Sequence, residues 1–257
     1  MRLPGCAWPW YCSPRSRAAR QHGPSRAGHA APVWAEAAVM IEVRAVVKRF
    51  GEVPVLEGVS LELERGASLG ILGASGSGKT TLLRIIAGLE LPESGEVLMD
   101  GRVVSRRGWG MAPHRRGLGF VFQSPALWPH MTVAGNVSFG LRSLAAPEAR
   151  ARLGRIIEDT GLGRLEQRYP AQLSGGQARR VAIARALAPQ PEWLLMDEPL
   201  SNLDRAARDE MLALVEHIVA ESRAGLIYVT HDESELERLA CRVLRLTEGR
   251  LIGDETR

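Results

Sequence analysis

The sequence predicts an α/β fold, a parallel β-sheet covered on both faces by helices. Short apolar runs of strand length recur, among them "SLGIL" (68–72), "WLLMD" (193–197) and "LIYVT" (226–230), with helix-length stretches between them. These runs lack polar alternation, as strands buried on both faces must. Each is followed by polar residues, and open parallel sheets collect their ligands at the carboxyl ends of their strands.

The elements follow in order. "MIEVRAVVKRF" (40–50) and "VLEGVSLELERGASLGIL" (55–72) read as strands separated by turn residues, the last five forming a strand of their own. After a glycine-rich loop, Thr81–Gly88 reads as a helix with Leu82, Leu83, Ile85 and Ile86 on one broad face. "GEVLMDGRVV" (95–104) is a hairpin turning at Asp100-Gly101, a pair that tolerates left-handed backbone. Leu118–Phe122 is a short strand, and residues 125–188 are expected to be mainly helical. Trp193–Asp197 is an apolar strand ending in an acid. Arg205–Ala220 is an amphipathic helix with Met211, Leu212, Leu214, Val215, Ile218 and Val219 inward. "LIYVTHD" (226–232) is a buried strand with a polar end, and "RVLRLTEGRLI" (242–252) closes as a hairpin through Glu248-Gly249.

The chain has 257 residues, enough to bury a substantial core without disulfides. Its formal charge of +4 is carried by residues 1–39, where five arginines stand against Glu36 (5 − 1 = +4). The remainder is neutral, so the basic balance of the whole chain says little about nucleic-acid binding by the folded part. Residues 1–39 show no period of two or 3.6, and Pro4 and Pro9 interrupt any signal-peptide core. They read as a disordered basic tail or as sequence upstream of a true start at Met40. Patterned sequence begins at Met40 and favours the second. Cys6, Cys12 and Cys241 give neither a disulfide framework nor a metal site, which fits a reducing compartment. No run of eighteen apolar residues is present to span a bilayer. Lysine occurs only at 48 and 79, so a lysine kept at 79 is notable.

The stretch "GASGSGKT", Gly73 to Thr80, fits G-x-x-x-x-G-K-[ST] between a strand and a helix, the context that such a motif requires. The residues Gly73, Ala74, Ser75, Gly76, Ser77 and Gly78 are small because backbone N–H groups must close around phosphate oxygens, and larger side chains would block the approach. The helix start adds favourable partial charge. Lys79 is expected to reach the β- and γ-phosphates, Thr80 to hold Mg²⁺ and Thr81 to add a phosphate contact. The alternative is a glycine-rich turn with an incidental lysine. Asp197 and Glu198, ending an apolar strand, supply the partners a phosphate site needs: one carboxylate to orient Mg²⁺ through water, the next to polarise the attacking water.

"LSGGQ", Leu173, Ser174, Gly175, Gly176 and Gln177, leads into "ARRVAIARAL" and resembles the signature of the ATP-binding cassette family. The resemblance covers roughly 40–257, and its motifs stand in family order. It implies a P-loop NTPase fold with a RecA-like parallel-sheet core, an N-terminal antiparallel β subdomain and an inserted helical subdomain at about 125–188. Phe50 matches the aromatic that stacks on adenine, and Gln123 the glutamine loop that helps to hold Mg²⁺ with Thr80 and Asp197. Glu198 matches the general base, Ser201 and Asp204 the dimer-contacting D-loop, and His231 the switch histidine. Taken singly, Phe50 reads as an edge aromatic, Gln123 as a loop residue and His231 as a strand-end histidine; order and spacing give them their roles. The departures are Ala178 for a longer polar residue, Met196 for an aliphatic, and Phe50 for the commoner tyrosine, which keeps the stacking face and loses the hydroxyl.

In this family the signature of one subunit caps the γ-phosphate held by the other, so two ATP molecules are buried between head-to-tail cassettes. The resemblance therefore implies an ATPase using ATP and Mg²⁺, active as a homodimer or as a heterodimer with another cassette ATPase. Its expected place is the cytoplasmic face of the plasma membrane, with two transmembrane permease subunits and, indirectly, a periplasmic or lipid-anchored solute-binding protein. No nucleic-acid partner is expected. "PALWPHMTVAGNVSFGLR" is similar to the insert of uptake ATPases for ferric iron, sulfate, polyamines and thiamine. Only 26 residues follow His231, so a C-terminal regulatory β-domain is expected to be absent. The alternatives are an export ATPase and an ATPase of DNA maintenance. The latter class separates loop and signature by long coiled coils, which fewer than a hundred residues here cannot supply.

Overall fold

The computed structural model describes residues 40–222, 224–240 and 242–256, so the stretch 1–39, expected to lie outside the fold, is outside the described residues. The chain runs β1 (Met40–Phe50), β2 (Val53–Glu64), β3 (Ser68–Leu72), α1 (Lys79–Ala87), β4 (Ser94–Met99), β5 (Arg102–Arg106) and β6 (Trp109–Gly110). It continues β7 (Leu118–Val121), α2 (Val133–Ser138), α3 (Ala146–Asp159), α4 (Gly175–Leu187), β8 (Trp193–Asp197), α5 (Arg205–Ser222) and β9 (Gly225–Thr230). It closes with α6 (Glu233–Leu239), β10 (Arg242–Thr247) and β11 (Arg250–Thr256).

Two sheets result. The first is antiparallel, in the order β2-β1-β4-β5-β6. The second has the order β11-β10-β3-β9-β8-β7 and is parallel from β10 to β7, with β11 antiparallel on its edge. Every residue of β3, β8 and β9 is buried, which explains why these strands read as continuous apolar runs. Alternate residues serve opposite faces. Ile71, Leu195, Ile227 and Val229 join α1 and the antiparallel sheet in one core, whereas Leu72, Leu194, Met196, Leu226 and Tyr228 join α4, α5 and α6 in another. α1 therefore lies between the two sheets. A third, smaller core gathers Val133 and Val137 of α2, Ile156 of α3 and Val181 of α4 into the helical insert.

Both expected hairpin turns form, with left-handed backbone at Asp100 (φ 51°), Gly101 (73°), Glu248 (48°) and Gly249 (74°). At the amino ends of β8 and β9, Trp193 is paired in register with Gly225. The buried indole occupies the space a side chain at 225 would need: a Cβ there would stand 2.2 Å from Cζ3 of the ring.

One boundary that differs from expectation bears on the site. The helix expected over Thr81–Gly88 begins at Lys79 and ends at Ala87. Its first turn closes by Leu82 N–H donating to the Gly78 carbonyl at 2.9 Å, so Lys79 and Thr80 are helical and their side chains have fixed directions. The segment 125–188 is mainly helical, as expected, holding α2, α3 and α4 and no strand. Residues 125–131 and 161–169 hold no α-helix, and the second stretch supplies carbonyls instead: Arg168 and Glu166 accept from the first N–H groups of α2, Val133 at 2.8 Å and Ala134 at 2.9 Å.

Candidate functional site

Strands β3, β9 and β8 are neighbours, so the residues beyond their carboxyl ends converge. The loop after β3 is Gly73–Gly78. Gly78 has φ 103°, and a Cβ there would lie 2.6 Å from the Val55 carbonyl oxygen of β2. Only glycine both adopts that backbone and lets the hairpin of β1 and β2 approach the loop. Two of the loop's N–H groups are used within the fold: Gly73 donates to the Thr230 carbonyl at 3.3 Å and Ser77 to the Ala74 carbonyl at 3.2 Å. The first-turn N–H groups of α1 have no intrahelical acceptor, and a helix start of this kind offers donors to an anion.

Lys79 is 3% exposed. Its ammonium donates to the Gly73 carbonyl at 2.7 Å and the Ala74 carbonyl at 2.9 Å, and stands 3.2 Å from Glu198 Oε1. The cation thus braces the loop from within and ties it to the strand-end acid of β8. Thr80 Oγ1 donates to Asp197 Oδ1 at 2.8 Å. Burial pushes the Asp197 carboxyl above its ordinary value of 3.8, and the Thr80 hydroxyl opposes that rise. Glu198 adopts φ 42°, a left-handed conformation uncommon outside glycine, and its N–H donates to the Val229 carbonyl at 3.0 Å. The other carboxylate oxygen, Oε2, lies 3.2 Å from Nδ1 of His231, whose ring is largely exposed. Glu198 is therefore held between a buried cation and an accessible imidazole.

The expected site residues divide into those brought together and those kept apart. Gly73 to Thr80, Asp197, Glu198 and His231 form one connected cluster. Thr81 continues α1 beside it. Phe50 ends β1 and is 52% exposed, with the Lys48 ammonium 5.0 Å from its ring centroid. It presents an open aromatic face on the hairpin that abuts Gly78. Gln123 follows β7 on an exposed irregular stretch and makes no hydrogen bond to Thr80 or Asp197 among the described residues.

The residues Leu173 to Gln177 stand elsewhere, at the start of α4, and no hydrogen bond or ion pair joins them to residues 73–80 among the described residues. Ser174 caps the helix: its Oγ accepts from Gln177 N–H at 3.2 Å, and Gln177 Oε1 accepts from Ser174 N–H at 3.0 Å. The Gln177 N–H is thus used locally. Gly175 and Gly176 face open space, since a Cβ on either would meet nothing within 4 Å. Ser201 and Asp204 lie between Glu198 and α5. The Ser201 N–H donates to the Glu198 carbonyl at 3.2 Å, and Asp204 Oδ1 accepts from Ala207 N–H at 2.9 Å to cap α5. Arg179 of α4 donates through Nη2 to the Ser201 carbonyl, linking the signature helix to that loop.

Sequence reasoning missed several supports. Tyr228 donates to Glu235 Oε2 at 2.8 Å beneath the His231 loop, and Arg208 pairs with Asp232 at 3.1 Å beside it. Arg116 is buried against the far end of α1. Nothing in a single sequence marks an arginine as buried. Lys48 pairs with Glu90 at 2.7 Å just beyond α1, and here a signal existed: Lys48 is the chain's only lysine besides Lys79.

The chemistry of the cluster fits a magnesium nucleotide. The loop offers N–H donors and an ammonium for phosphates, the Ser77 hydroxyl is buried without a hydrogen-bond partner, and Thr80 with Asp197 pairs a hydroxyl and a carboxylate, the hard oxygen donors that Mg²⁺ takes.

The family model described as ABC transporter matches residues 56–201, more than half of the chain. The chain is 46% identical over 217 residues to the sulfate/thiosulfate import ATP-binding protein CysA of Bradyrhizobium diazoefficiens, covering 82% of this chain and 62% of that protein. It is 45% identical over 218 residues to the spermidine/putrescine import ATP-binding protein PotA of Roseobacter denitrificans, covering 83% and 59%. It is likewise 45% identical over 212 residues to the Fe(3+) ions import ATP-binding protein FbpC 2 of Rhodococcus jostii, covering 82% and 60%. The chain thus spans about three fifths of the length of these relatives. Among solved structures, a dimeric ATP-binding cassette in a post-hydrolysis state, bound to ADP and Pi, superposes with a TM-score of 0.75 at 33% identity, covering 84% of this chain and 98% of that one. The cbiO1 protein of Clostridium perfringens, part of the ABC transporter complex cbiONQ, gives 0.76 at 30% identity, covering 85% and 89%.

Proposed function

Because the chain belongs to the ABC transporter family, we propose that it is the ATP-hydrolysing subunit of an importer, working as a dimer beneath separate membrane-spanning permeases. The observation that carries this reading is Glu198, held 3.2 Å from Lys79 and 3.2 Å from His231 at the mouth of the phosphate loop. Lys79 and the first N–H groups of α1 hold the phosphates. Phe50 supports the base. Thr80, Asp197 and Gln123 would hold Mg²⁺, whose charge neutralises phosphate oxygens when it is bound. Glu198 accepts the proton of the attacking water, and His231 fixes the carboxylate's direction from the solvent side.

The half-built state of this pocket supports a dimer. Gly175 and Gly176 present an open helix start with no phosphate loop of their own to face, and a second copy or a related cassette would bring one to it. ATP then binds the closed pair better than the open one and shifts the population towards closure. The import reading is supported by relatives named for sulfate/thiosulfate, spermidine/putrescine and Fe(3+) import. No helix among the described residues is long and apolar enough to cross a membrane, and the transport path in this reading is supplied by permease subunits. A peripheral place on the cytoplasmic face of the plasma membrane follows from that assignment.

The test is Glu198→Gln. The variant should bind ATP with Mg²⁺, stop turning it over and elute from a sizing column as a nucleotide-loaded dimer. Turnover at the wild-type rate would refute the role of Glu198.

A further inference from the structure

We infer that Arg116 and Lys48 form a clamp on the carboxyl end of α1 that fixes the spacing between the phosphate cradle and the Phe50 platform, making both positioning residues for nucleotide binding. The inference rests on the nucleotide reading above and concerns residues remote from the phosphates.

Arg116 is 5% exposed, and its guanidinium faces carbonyl and hydroxyl oxygens. Nη1 donates to the Ile85 carbonyl at 3.3 Å and the Ile86 carbonyl at 2.9 Å, both in the last turn of α1. Nη2 donates to the Val104 carbonyl at 2.8 Å and the Ser105 hydroxyl at 2.9 Å, both in β5, and to the Met111 carbonyl at 2.7 Å; Nε donates to Met111 at 2.9 Å. Burial lowers its pKa from 12.5 to about 10, which leaves it a cation at neutral pH. A rigid planar fork is the side chain suited to joining two elements in this way. A cation here also complements the negative end of the helix whose positive end faces the phosphate site.

The surrounding chain makes room for it. Gly88 ends α1 with φ 78°, and a Cβ there would lie 2.4 Å from the guanidinium carbon. Glycine at 88 therefore serves both the turn and the seat of Arg116.

Lys48 fastens the same helix end to β1. Its ammonium donates to Glu90 Oε1 at 2.7 Å and the Leu91 carbonyl at 3.1 Å, just past α1, while lying 5.0 Å from the Phe50 ring centroid. The hydrogen bond from Lys48 holds the Glu90 carboxyl below its ordinary range. One link thus runs from β5 to α1 through Arg116, and another from β1, two residues before Phe50, to the same end of α1. A ligand that touches both the loop and Phe50 depends on that spacing. A ligand that touches the loop alone does not.

The experiment compares two probes, ATP and inorganic tripolyphosphate, each with Mg²⁺, by calorimetry on the full chain. Wild type should bind both, and Lys79→Ala should weaken both. Arg116→Lys and Lys48→Gln should each weaken ATP about tenfold, a misplacement effect, while tripolyphosphate stays within about twofold of wild type. Equal losses for both probes, or no change in either, would overturn the clamp. Should Arg116→Lys fail to fold, Lys48→Gln decides the matter alone, since glutamine keeps a hydrogen-bond donor beside Glu90 and Lys48 lies outside the hydrophobic core. Wild type that binds neither probe would sink the nucleotide reading and the clamp with it. Wild type that binds both, with variants that match it, would sink the clamp alone.

Discussion

The Thr80 hydroxyl donates a 2.8 Å hydrogen bond to the Asp197 carboxylate, joining the first turn of α1 to the end of β8 across the sheet. Thr80→Val keeps the shape and removes the donor. The buried carboxylate then loses its hydroxyl partner, at a cost of about 1–3 kcal/mol. The expected outcome is a lower melting temperature together with a loss of the Mg²⁺ dependence of nucleotide binding, read by titrating ATP with and without the metal.

Lys79 is the cation of the glycine loop, proposed above to hold phosphates, and at 3.2 Å a partner of Glu198. Lys79→Ala should weaken ATP binding by about tenfold to a hundredfold, the range for one hydrogen bond to a charged group. Calorimetry on the purified chain checks this. An unchanged affinity would mean that the ammonium serves the loop alone.

Ser174 has a duty within its own chain as well as the proposed one across a dimer. Removing its cap in Ser174→Ala should cost about 0.5–2 kcal/mol of stability and leave substantial turnover. Ser174→Arg loses the same cap and adds bulk at the open helix start. It should leave ATP binding to the monomer nearly unchanged and abolish turnover. If ATP binding to the monomer falls with the arginine and not with the alanine, the assignment of this helix start to a partner's nucleotide is wrong.

Burial and the neighbouring Glu235 carboxylate raise the Tyr228 phenol well above its ordinary 10.0. The folded protein therefore holds this proton more tightly than the unfolded chain. The resulting stability is fully present below pH 10 and is lost as pH rises above it towards the folded value. Tyr228→Phe should remove that alkaline loss. It should also cost about 1–3 kcal/mol at neutral pH, because Glu235 loses the donor at 2.8 Å. Urea titrations at neutral and alkaline pH separate the two effects.

The glycine loop, the strand-end acids and the start of α4 were legible because each needs a residue type that physics restricts. Glycine was needed at Gly78 for a positive φ, acids at Asp197 and Glu198 after an apolar strand, and a small hydroxyl residue at Ser174 before a helix. The strand order was not legible, since β10 reaches its place beside β3 from the far end of the chain and no local pattern records that pairing. Nor was the left-handed backbone of Glu198, whose N–H is tied to the Val229 carbonyl of the neighbouring strand. Arg116 was invisible for a different reason. Its charge marks it as a surface residue by composition, and only the ring of carbonyls around it makes burial tolerable. Within the mainly helical stretch 125–188, Gly161, Gly163 and Pro170 fall in the turns that separate α3 from α4.

The indole of Trp193 seated against Gly225 acts as a keyway between β8 and β9. The same two strands carry Glu198 and His231 just past their opposite ends, about five residues away. A bulkier side chain in the notch would push the ring out or slide one strand along the other. Each residue of slip moves a strand by about 3.3 Å, comparable to the whole gap between the carboxylate and the imidazole. The spacing of Glu198 and His231 is thus gauged at the other end of their strands, by a hydrogen atom where most positions carry a side chain.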